Sequence, residues 1–230
     1  MNIKHIFFDL DRTLWDFEKN SKTTLLKLIE DFDLINHGIN DSLDFIKRYK
    51  LHNSRLWDLY RDNVITKEEL RDRRFLLTLK EYNINDSLLA ESIGIEYVKK
   101  SPLQTALFPF TLDTLIYLSE KYQLHIITNG FKEVQHIKLK NSGLDRFFNI
   151  VVTSEQVGVK KPHQKIFKYA LNEANALAKE SIMIGDDLEA DILGAQNVGI
   201  KGVYFNPEGD KSHKDVFMQI STLDKLKEIL

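Results

Sequence analysis

Carboxylic acids stand at the ends of two apolar segments of this chain. Asp9 and Asp11 follow the apolar residues 6–8 with a spacing of two, and Asp186 follows the apolar residues 182–184. Side chains two apart in a strand point to the same side, and open α/β sheets bind ligands at the carboxyl ends of their strands. Three acids gathered there cannot all remain ionised without a cation, and Mg²⁺ suits a site of oxygen ligands. The spacing indicates a candidate metal site, although one such strand end is also typical of an ordinary polar turn.

A hydroxyl group and a lysine follow at two further points. The run 124–127 ends at Thr128, Asn129 and Gly130, and Lys161 directly precedes a proline that can begin a helix. Lys160 is the alternative lysine at this position. The order along the chain is therefore acids, hydroxyl, lysine and acids again.

The elements that must position these groups alternate between strand and helix. We expect strands near 4–9, 124–128, 149–153, 181–185 and 201–205, and helices near 111–121, 131–142, 163–175 and 189–197. Such alternation predicts an α/β fold with a doubly wound parallel sheet.

The segment between the first acids and residue 101 has a different character. It contains no proline and only two glycines, its apolar residues recur with helical spacing, and Thr66 and Glu69 form a capping-box pattern. We therefore expect an all-helical domain of residues 16–100, inserted into a core of residues 1–15 and 101–230. Because it leaves the sheet just after Asp11, this domain is expected to cover the mouth of the site.

The bulk composition narrows the class of protein. The 230 residues carry a net charge of −2, are 43% hydrophobic and include no cysteine. The charge does not favour a nucleic-acid partner, and no apolar stretch is long enough to predict a membrane span. We expect a cytoplasmic protein without disulfides or a signal peptide.

Together the four segments resemble the signature motifs of the haloacid dehalogenase superfamily, most of whose members are Mg²⁺-dependent phosphatases. The resemblance implies a Rossmann-like core with a helical C1 cap, and hydrolysis of a phosphate monoester through an aspartyl-phosphate. It makes Asp9 the nucleophile and Asp11 the general acid and base.

The resemblance also implies roles for the remaining motif residues. The Mg²⁺ ligands would be the Asp9 side chain, the Asp11 backbone carbonyl and Asp186. Asp191 would support these ligands indirectly, and Asp187 would either support them or orient Lys161, although acids are also common at the start of a helix. Thr128 and the backbone of Asn129 and Gly130 would bind the phosphoryl group, and Lys161 would balance the charge on it and on Asp9.

The substrate is expected to be a small phosphorylated metabolite, and no protein partner can be named. The amino-acid sequence of the first motif and of the cap resembles that of the pyrimidine-nucleotide 5′-phosphatases. This resemblance favours nucleoside 5′-monophosphates as the substrate. Trp15 and Phe17 could stack on a base, or could instead pack the hinge of the cap. One or two cap arginines could bind a second polar part of the substrate, the candidates being Arg55, Arg61, Arg71, Arg73 and Arg74.

Other activities of the same superfamily remain as alternatives. Related caps belong to phosphatases for phosphoglycolate, sugar phosphates and pyrophosphate. Asp11 argues against a 2-haloacid dehalogenase, which lacks this second acid, and the long insertion argues against a phosphomutase.

Overall fold

A computed structural model describes residues 2–209 and 216–230 of the chain. They divide into two compact units. The core unit comprises Met1–Phe17 and Thr105–Leu230, and the helical unit comprises Glu18–Gln104.

A parallel sheet forms the centre of the core unit. Within the described residues it has six strands in the order β3-β2-β1-β4-β5-β6, and every neighbouring pair is parallel. The strands are β1 (His5–Phe8), β2 (Gln123–Thr128), β3 (Phe148–Thr153), β4 (Ser181–Gly185), β5 (Lys201–Phe205) and β6 (Met218–Ile220). The predicted α/β class with a parallel sheet is confirmed, and β6 is a strand that the sequence patterns did not predict.

Each face of this sheet carries its own hydrophobic core. Ile6 and Phe8 of β1 belong to one buried cluster and Phe7 to another, as the alternation of side chains along a strand requires. Because both faces are covered, β1 is buried along its whole length, which explains its uninterrupted apolar sequence.

Helices lie between the strands of the core unit, and one more follows the last strand. They are α5 (Thr111–Ser119), α6 (Lys132–Asn141), α7 (Ser154–Val157), α8 (Gln164–Glu173), α9 (Gly194–Gln196) and α10 (Leu226–Ile229). Residues Leu188–Leu193 form a π-helical turn before α9, where the sequence predicted one continuous helix. The wider turn is the first segment after β4, next to the acids that end that strand.

Four helices build the helical unit: α1 (Phe17–Asp31), which starts one residue before the unit, α2 (Ser42–Arg61), α3 (Lys67–Lys80) and α4 (Ser87–Lys100). They enclose a core of aliphatic and aromatic side chains such as Leu25, Tyr49 and Phe75. The predicted capping box is confirmed, since Thr66 Oγ1 accepts from the Glu69 backbone and the Glu69 carboxylate accepts from the Thr66 backbone. No helix in the described ranges is long and apolar enough to cross a membrane.

Candidate active site

The site begins where β1 ends between its two neighbours. Phe8 is in register with Ile126 of β2 and Ile184 of β4, so these three strands end close together. The backbone N–H of Asp9 donates to the carbonyl of Ile184 at 2.9 Å. This bond continues the ladder by one residue and fixes the backbone of Asp9, whose side chain is buried.

Lys161 places a buried ammonium group beside Asp9. Its Nζ donates to Asp9 Oδ1 at 2.6 Å, to Asp191 Oδ1 at 2.5 Å and to the carbonyl of Ile127 at 2.8 Å. All three N–H donors of the ammonium are therefore used. Burial lowers the pKa of Lys161, but the charges of Asp191 and Asp9 outweigh it and raise the pKa above its ordinary value. Lys161 is thus a fixed cation, and it is Lys161 rather than Lys160 that contacts Asp9.

The side chain of Asn129 holds the loop that carries this lysine. Its Oδ1 accepts from the Lys161 backbone N–H at 2.8 Å, and its Nδ2 donates to the Lys161 carbonyl at 3.1 Å. The sequence-based prediction gave Asn129 only a backbone role. In the structure its amide also locks the end of β2 to the lysine loop.

Three carboxylates gather at this point. Oxygen atoms of Asp9, Asp186 and Asp191 all lie within 4.8 Å of one another, and Asp186 accepts a 3.4 Å hydrogen bond from Thr13. Asp191 lies in the π-helical turn and is 1% exposed. Its Oδ2 would lie 2.2 Å from a Cβ at position 185, so this close packing requires Gly185.

The charge of this cluster favours a divalent cation. Burial raises the pKa of Asp9 to about 7, against the effect of Lys161 and with a contribution from Asp191. Burial, then Asp9 and Asp191, raise the pKa of Asp186 well above its ordinary value. One ammonium group does not neutralise three acids, of which Asp9 and Asp191 are buried and Asp186 is half-buried. The donor atoms are all oxygen, which is the ligand type Mg²⁺ prefers. The residues present therefore fit a Mg²⁺ ion.

Asp191 and Asp187 are engaged by the protein itself. Asp191 Oδ1 accepts from Lys161 and its Oδ2 from the backbone N–H of Asp187 at 3.1 Å. Asp187 caps the π-helical turn, since its Oδ1 accepts from the backbone of Glu189 and Ala190. These bonds suit the supporting roles predicted for both residues.

Asp11 is held from a different direction, by two residues of α6. Lys138 Nζ donates to Asp11 Oδ1 at 2.6 Å and to Oδ2 at 2.8 Å, and Gln135 Nε2 donates to Oδ2 at 2.8 Å. Sequence reasoning missed both residues. The available signal was their spacing of three, which places them on the helix face that also carries the buried Leu139.

Thr128 is oriented by the same glutamine. Its Oγ1 accepts from Gln135 Nε2 at 2.7 Å and from the Gly130 backbone N–H at 3.0 Å. With both lone pairs used, the hydroxyl can only donate its own hydrogen. A Cβ at position 130 would lie 1.9 Å from Gln135 Nε2, so the glycine makes room for the glutamine, while its N–H is used inside the loop.

The two aromatic residues after the first motif differ in exposure. Trp15 is fully buried in the core of the sheet unit, which favours the packing interpretation over stacking on a substrate. Phe17 is half-buried, and the guanidinium of Arg12 lies 4.6 Å from its ring. A contact with substrate remains a prediction for Phe17.

Among the arginines singled out in the helical unit, Arg74 is the buried one. Its guanidinium is 4.5 Å from the ring of Tyr97 and donates to Asn53 Oδ1 at 3.3 Å. The other four are exposed or half-buried, as expected for helix surface.

A family model and three known proteins are similar to this chain over most of its length. Residues 6–205 match the family model of the haloacid dehalogenase-like hydrolases. The chain is 30% identical over 228 residues to pyrimidine 5′-nucleotidase YjjG of Escherichia coli (strain K12), with 98% of this chain and 96% of that protein covered. It is 35% identical over 242 residues to the glyceraldehyde 3-phosphate phosphatase of Pyrococcus furiosus, with 99% and 93% covered. It is also similar to the crystal structure of the HAD-hydrolase YfnB of Bacillus subtilis bound to magnesium, with a TM-score of 0.89, 28% identity, and 100% of this chain and 99% of that chain covered.

Proposed function

The chain belongs to the haloacid dehalogenase-like hydrolases, and on this basis we propose that it is a Mg²⁺-dependent phosphomonoester hydrolase acting through an aspartyl-phosphate on Asp9. The observation that carries the proposal is the buried Asp9 carboxylate, bonded to Lys161, with a second acid two residues further on. Relatives named as a nucleotidase and a phosphatase, each matched over nearly the whole chain, support it.

The nucleophile is one oxygen of Asp9. Lys161 engages Oδ1, which leaves Oδ2 to attack phosphorus. The ionised carboxylate is the reactive form, and Lys161 favours it by balancing its charge.

A Mg²⁺ ion would be held by Asp9, Asp186 and the backbone carbonyl of Asp11. When bound it would neutralise the carboxylates and the charge of the phosphoryl oxygens. That the Bacillus subtilis relative was solved with magnesium supports this assignment. Asp191 serves this site indirectly, because its two oxygens are bonded to Lys161 and to the Asp187 backbone.

The phosphoryl group is oriented by the end of β2. The Thr128 hydroxyl donates to one phosphoryl oxygen, because its own oxygen already accepts two hydrogen bonds. The backbone N–H of Asn129 is the second donor in this loop.

Asp11 carries the proton in both half-reactions. In the first, the bond from Asp9 Oδ2 to phosphorus forms, the bond to the ester oxygen breaks, and Asp11 protonates that oxygen. In the second, Asp11 takes a proton from a water molecule while the water oxygen attacks phosphorus. The bond from phosphorus to Asp9 Oδ2 breaks, which releases phosphate and restores the Asp9 carboxylate and the protonated Asp11.

For the substrate we propose a nucleoside 5′-monophosphate, supported by the pyrimidine 5′-nucleotidase relative. A small sugar phosphate is the second candidate, because the glyceraldehyde 3-phosphate phosphatase relative has the higher identity. We propose that the helical unit, inserted just after the first motif, acts as a cap; movement between domains is described for the Bacillus subtilis structure.

The test is a screen of phosphate release with Mg²⁺ or with EDTA. Substrates are nucleoside 5′-monophosphates, glyceraldehyde 3-phosphate, hexose phosphates, phosphoglycolate and pyrophosphate, with 2-haloacids in the absence of metal. We expect Mg²⁺-dependent phosphate release that EDTA abolishes, and no turnover by Asp9→Asn. Full activity in EDTA would overturn the metal assignment, and halide release without metal would overturn the reaction class. If a sugar phosphate is preferred to every nucleotide, only the substrate proposal is lost.

A further inference from the structure

The carboxylate of Asp11 is fixed by an arrangement that the four motifs do not contain. We propose that Lys138, assisted by Gln135, is a positioning residue that holds this carboxylate where it exchanges a proton with the substrate. The proposal rests on the phosphomonoester hydrolysis proposed above.

Three contacts from α6 determine how the carboxylate is oriented. Lys138 reaches both oxygens and Gln135 reaches Oδ2. A carboxylate has four in-plane lone-pair positions, so one position, on Oδ1, remains. The exchanged proton therefore goes to and from Oδ1, on the edge that Lys138 does not occupy.

Lys138 itself is held in place by the first motif segment. Its ammonium group is buried and lies 4.3 Å from the centre of the Trp15 ring, a distance typical of a cation–π contact. Among the described residues, Asp11 is the carboxylate with which Lys138 forms an ion pair. The contacts of the ammonium group with the Trp15 ring and with Asp11 leave Lys138 little freedom, as a positioning role requires.

Gln135 links the proton carrier to the phosphoryl-binding hydroxyl. Its Nε2 donates both to Asp11 Oδ2 at 2.8 Å and to Thr128 Oγ1 at 2.7 Å. Its Oε1 is buried and has no hydrogen-bond partner among the described residues. Leaving that oxygen unsatisfied destabilises the fold, so packing alone does not account for a glutamine at this position.

The experiment compares Lys138→Met with Lys140→Met, the same change at an exposed position of the same helix. The measured quantity is kcat/KM at saturating Mg²⁺ for 4-nitrophenyl phosphate, phenyl phosphate and an alkyl phosphate. kcat/KM reports the steps up to departure of the leaving group, where the proton from Asp11 is needed. Loss of positioning is expected to reduce kcat/KM for the alkyl ester about 10²-fold. The reduction should be much smaller for the nitrophenyl ester, whose leaving group needs no proton, and Lys140→Met should match the wild type.

A second comparison uses Asp11→Asn as the background. If Lys138 acts through Asp11, then adding Lys138→Met to Asp11→Asn causes no further loss on phenyl phosphate. Lys138→Arg keeps a cation at this position. It should bring the relative kcat/KM values for the three esters part of the way back to those of the wild type. A merely structural role would lower kcat/KM equally for all esters and in both backgrounds.

The outcomes separate the two proposals. A wild type that hydrolyses no ester removes the proposed function and this inference with it. An active wild type with equal losses on all three esters, or with Lys138→Met behaving as Lys140→Met, overturns the positioning role alone. If circular dichroism shows that Lys138→Met does not fold, Lys138→Gln takes its place and must show the same leaving-group selectivity, or the inference is wrong.

Discussion

We expect the stability of the core unit to depend on pH through a buried pair of histidines in the sheet. His125 of β2 is fully buried, its Nε2 lies 3.2 Å from Nδ1 of His5 on β1, and its ring is 4.8 Å from the ring of Phe7. The other ring nitrogen, Nδ1, has no hydrogen-bond partner among the described residues. Burial, and then His5, lower the pKa of His125 from 6.5 to about 4.

The sign follows from proton linkage. Between pH 6.5 and pH 4 the unfolded chain binds a proton at His125 that the folded chain does not, so the free energy of unfolding falls as pH falls through this window. With the two pKa values above, the loss is about 2 kcal/mol at pH 5 and about 3 kcal/mol at pH 4. Above pH 7 the effect vanishes. His5, whose pKa is also lowered by burial, adds in the same direction.

The perturbation is His125→Gln, which removes this titration and keeps a polar group. The assay is urea unfolding at pH 7.5, 6, 5 and 4.5, followed by Trp15 fluorescence in a Trp57→Phe background. The chain has two tryptophans and Trp57 lies in the helical unit, so the signal then reports the core unit. The matched control is His136→Gln, at an exposed position of α6. We expect the variant to lose about 2 kcal/mol less stability than the wild type between pH 7.5 and pH 5. Parallel pH profiles for His125→Gln and the wild type would refute the reasoning.

Three further predictions concern single contacts. Asn129→Ala removes both hydrogen bonds to the Lys161 backbone and should lower kcat about 10²-fold while the protein stays folded. Steady-state kinetics measure this beside the exposed control Asn172→Ala, and an unchanged kcat would show that the Lys161 loop keeps its conformation without Asn129. Gly185→Ala places a Cβ 2.2 Å from Asp191 Oδ2 and should weaken Mg²⁺ binding. Titration calorimetry measures the Mg²⁺ affinity, and an affinity equal to that of the wild type would mean that Asp191 can move without effect on the metal. Thr66→Ala removes the capping box of α3 and should destabilise the helical unit by about 1 kcal/mol without changing kcat. Urea unfolding followed by Trp57 fluorescence measures this, and a midpoint of unfolding equal to that of the wild type would contradict it.

The parts of the fold that were predictable are those with a local signal. Apolar runs that end abruptly in acids or a hydroxyl located β1, β2 and β4, and the absence of proline together with the Thr66 capping pattern located the helical segment. Strand β6 was missed because Met218–Ile220 is only three residues long and a pattern of alternation needs more.

The contacts that complete the candidate site had no such signal. Lys138 and Gln135 contact Asp11 although more than a hundred residues of chain separate them from it. In addition, two polar residues on one face of a helix are ordinarily exposed to solvent, so their spacing alone does not indicate a site. The second role of Asn129 was hidden for a related reason. Its side chain bonds to the backbone of another loop, and backbone contacts leave no trace in residue types. The burial of Trp15 also depends on packing, which an aromatic residue beside a motif does not disclose.

The position of β1 in the middle of the sheet has a consequence for how the protein is made. Phe8 pairs with Ile126 on one side and with Ile184 on the other, so β1 is synthesised well before either of the strands with which it pairs. The helical unit consists of neighbouring helices whose contacts are local, and we expect it to fold first. Asp9 and Asp186 then meet only after β4 has been synthesised. A nascent chain that stops before β4 should carry a folded helical unit and no catalytic activity. We therefore expect activity to arise only late in the synthesis of the chain.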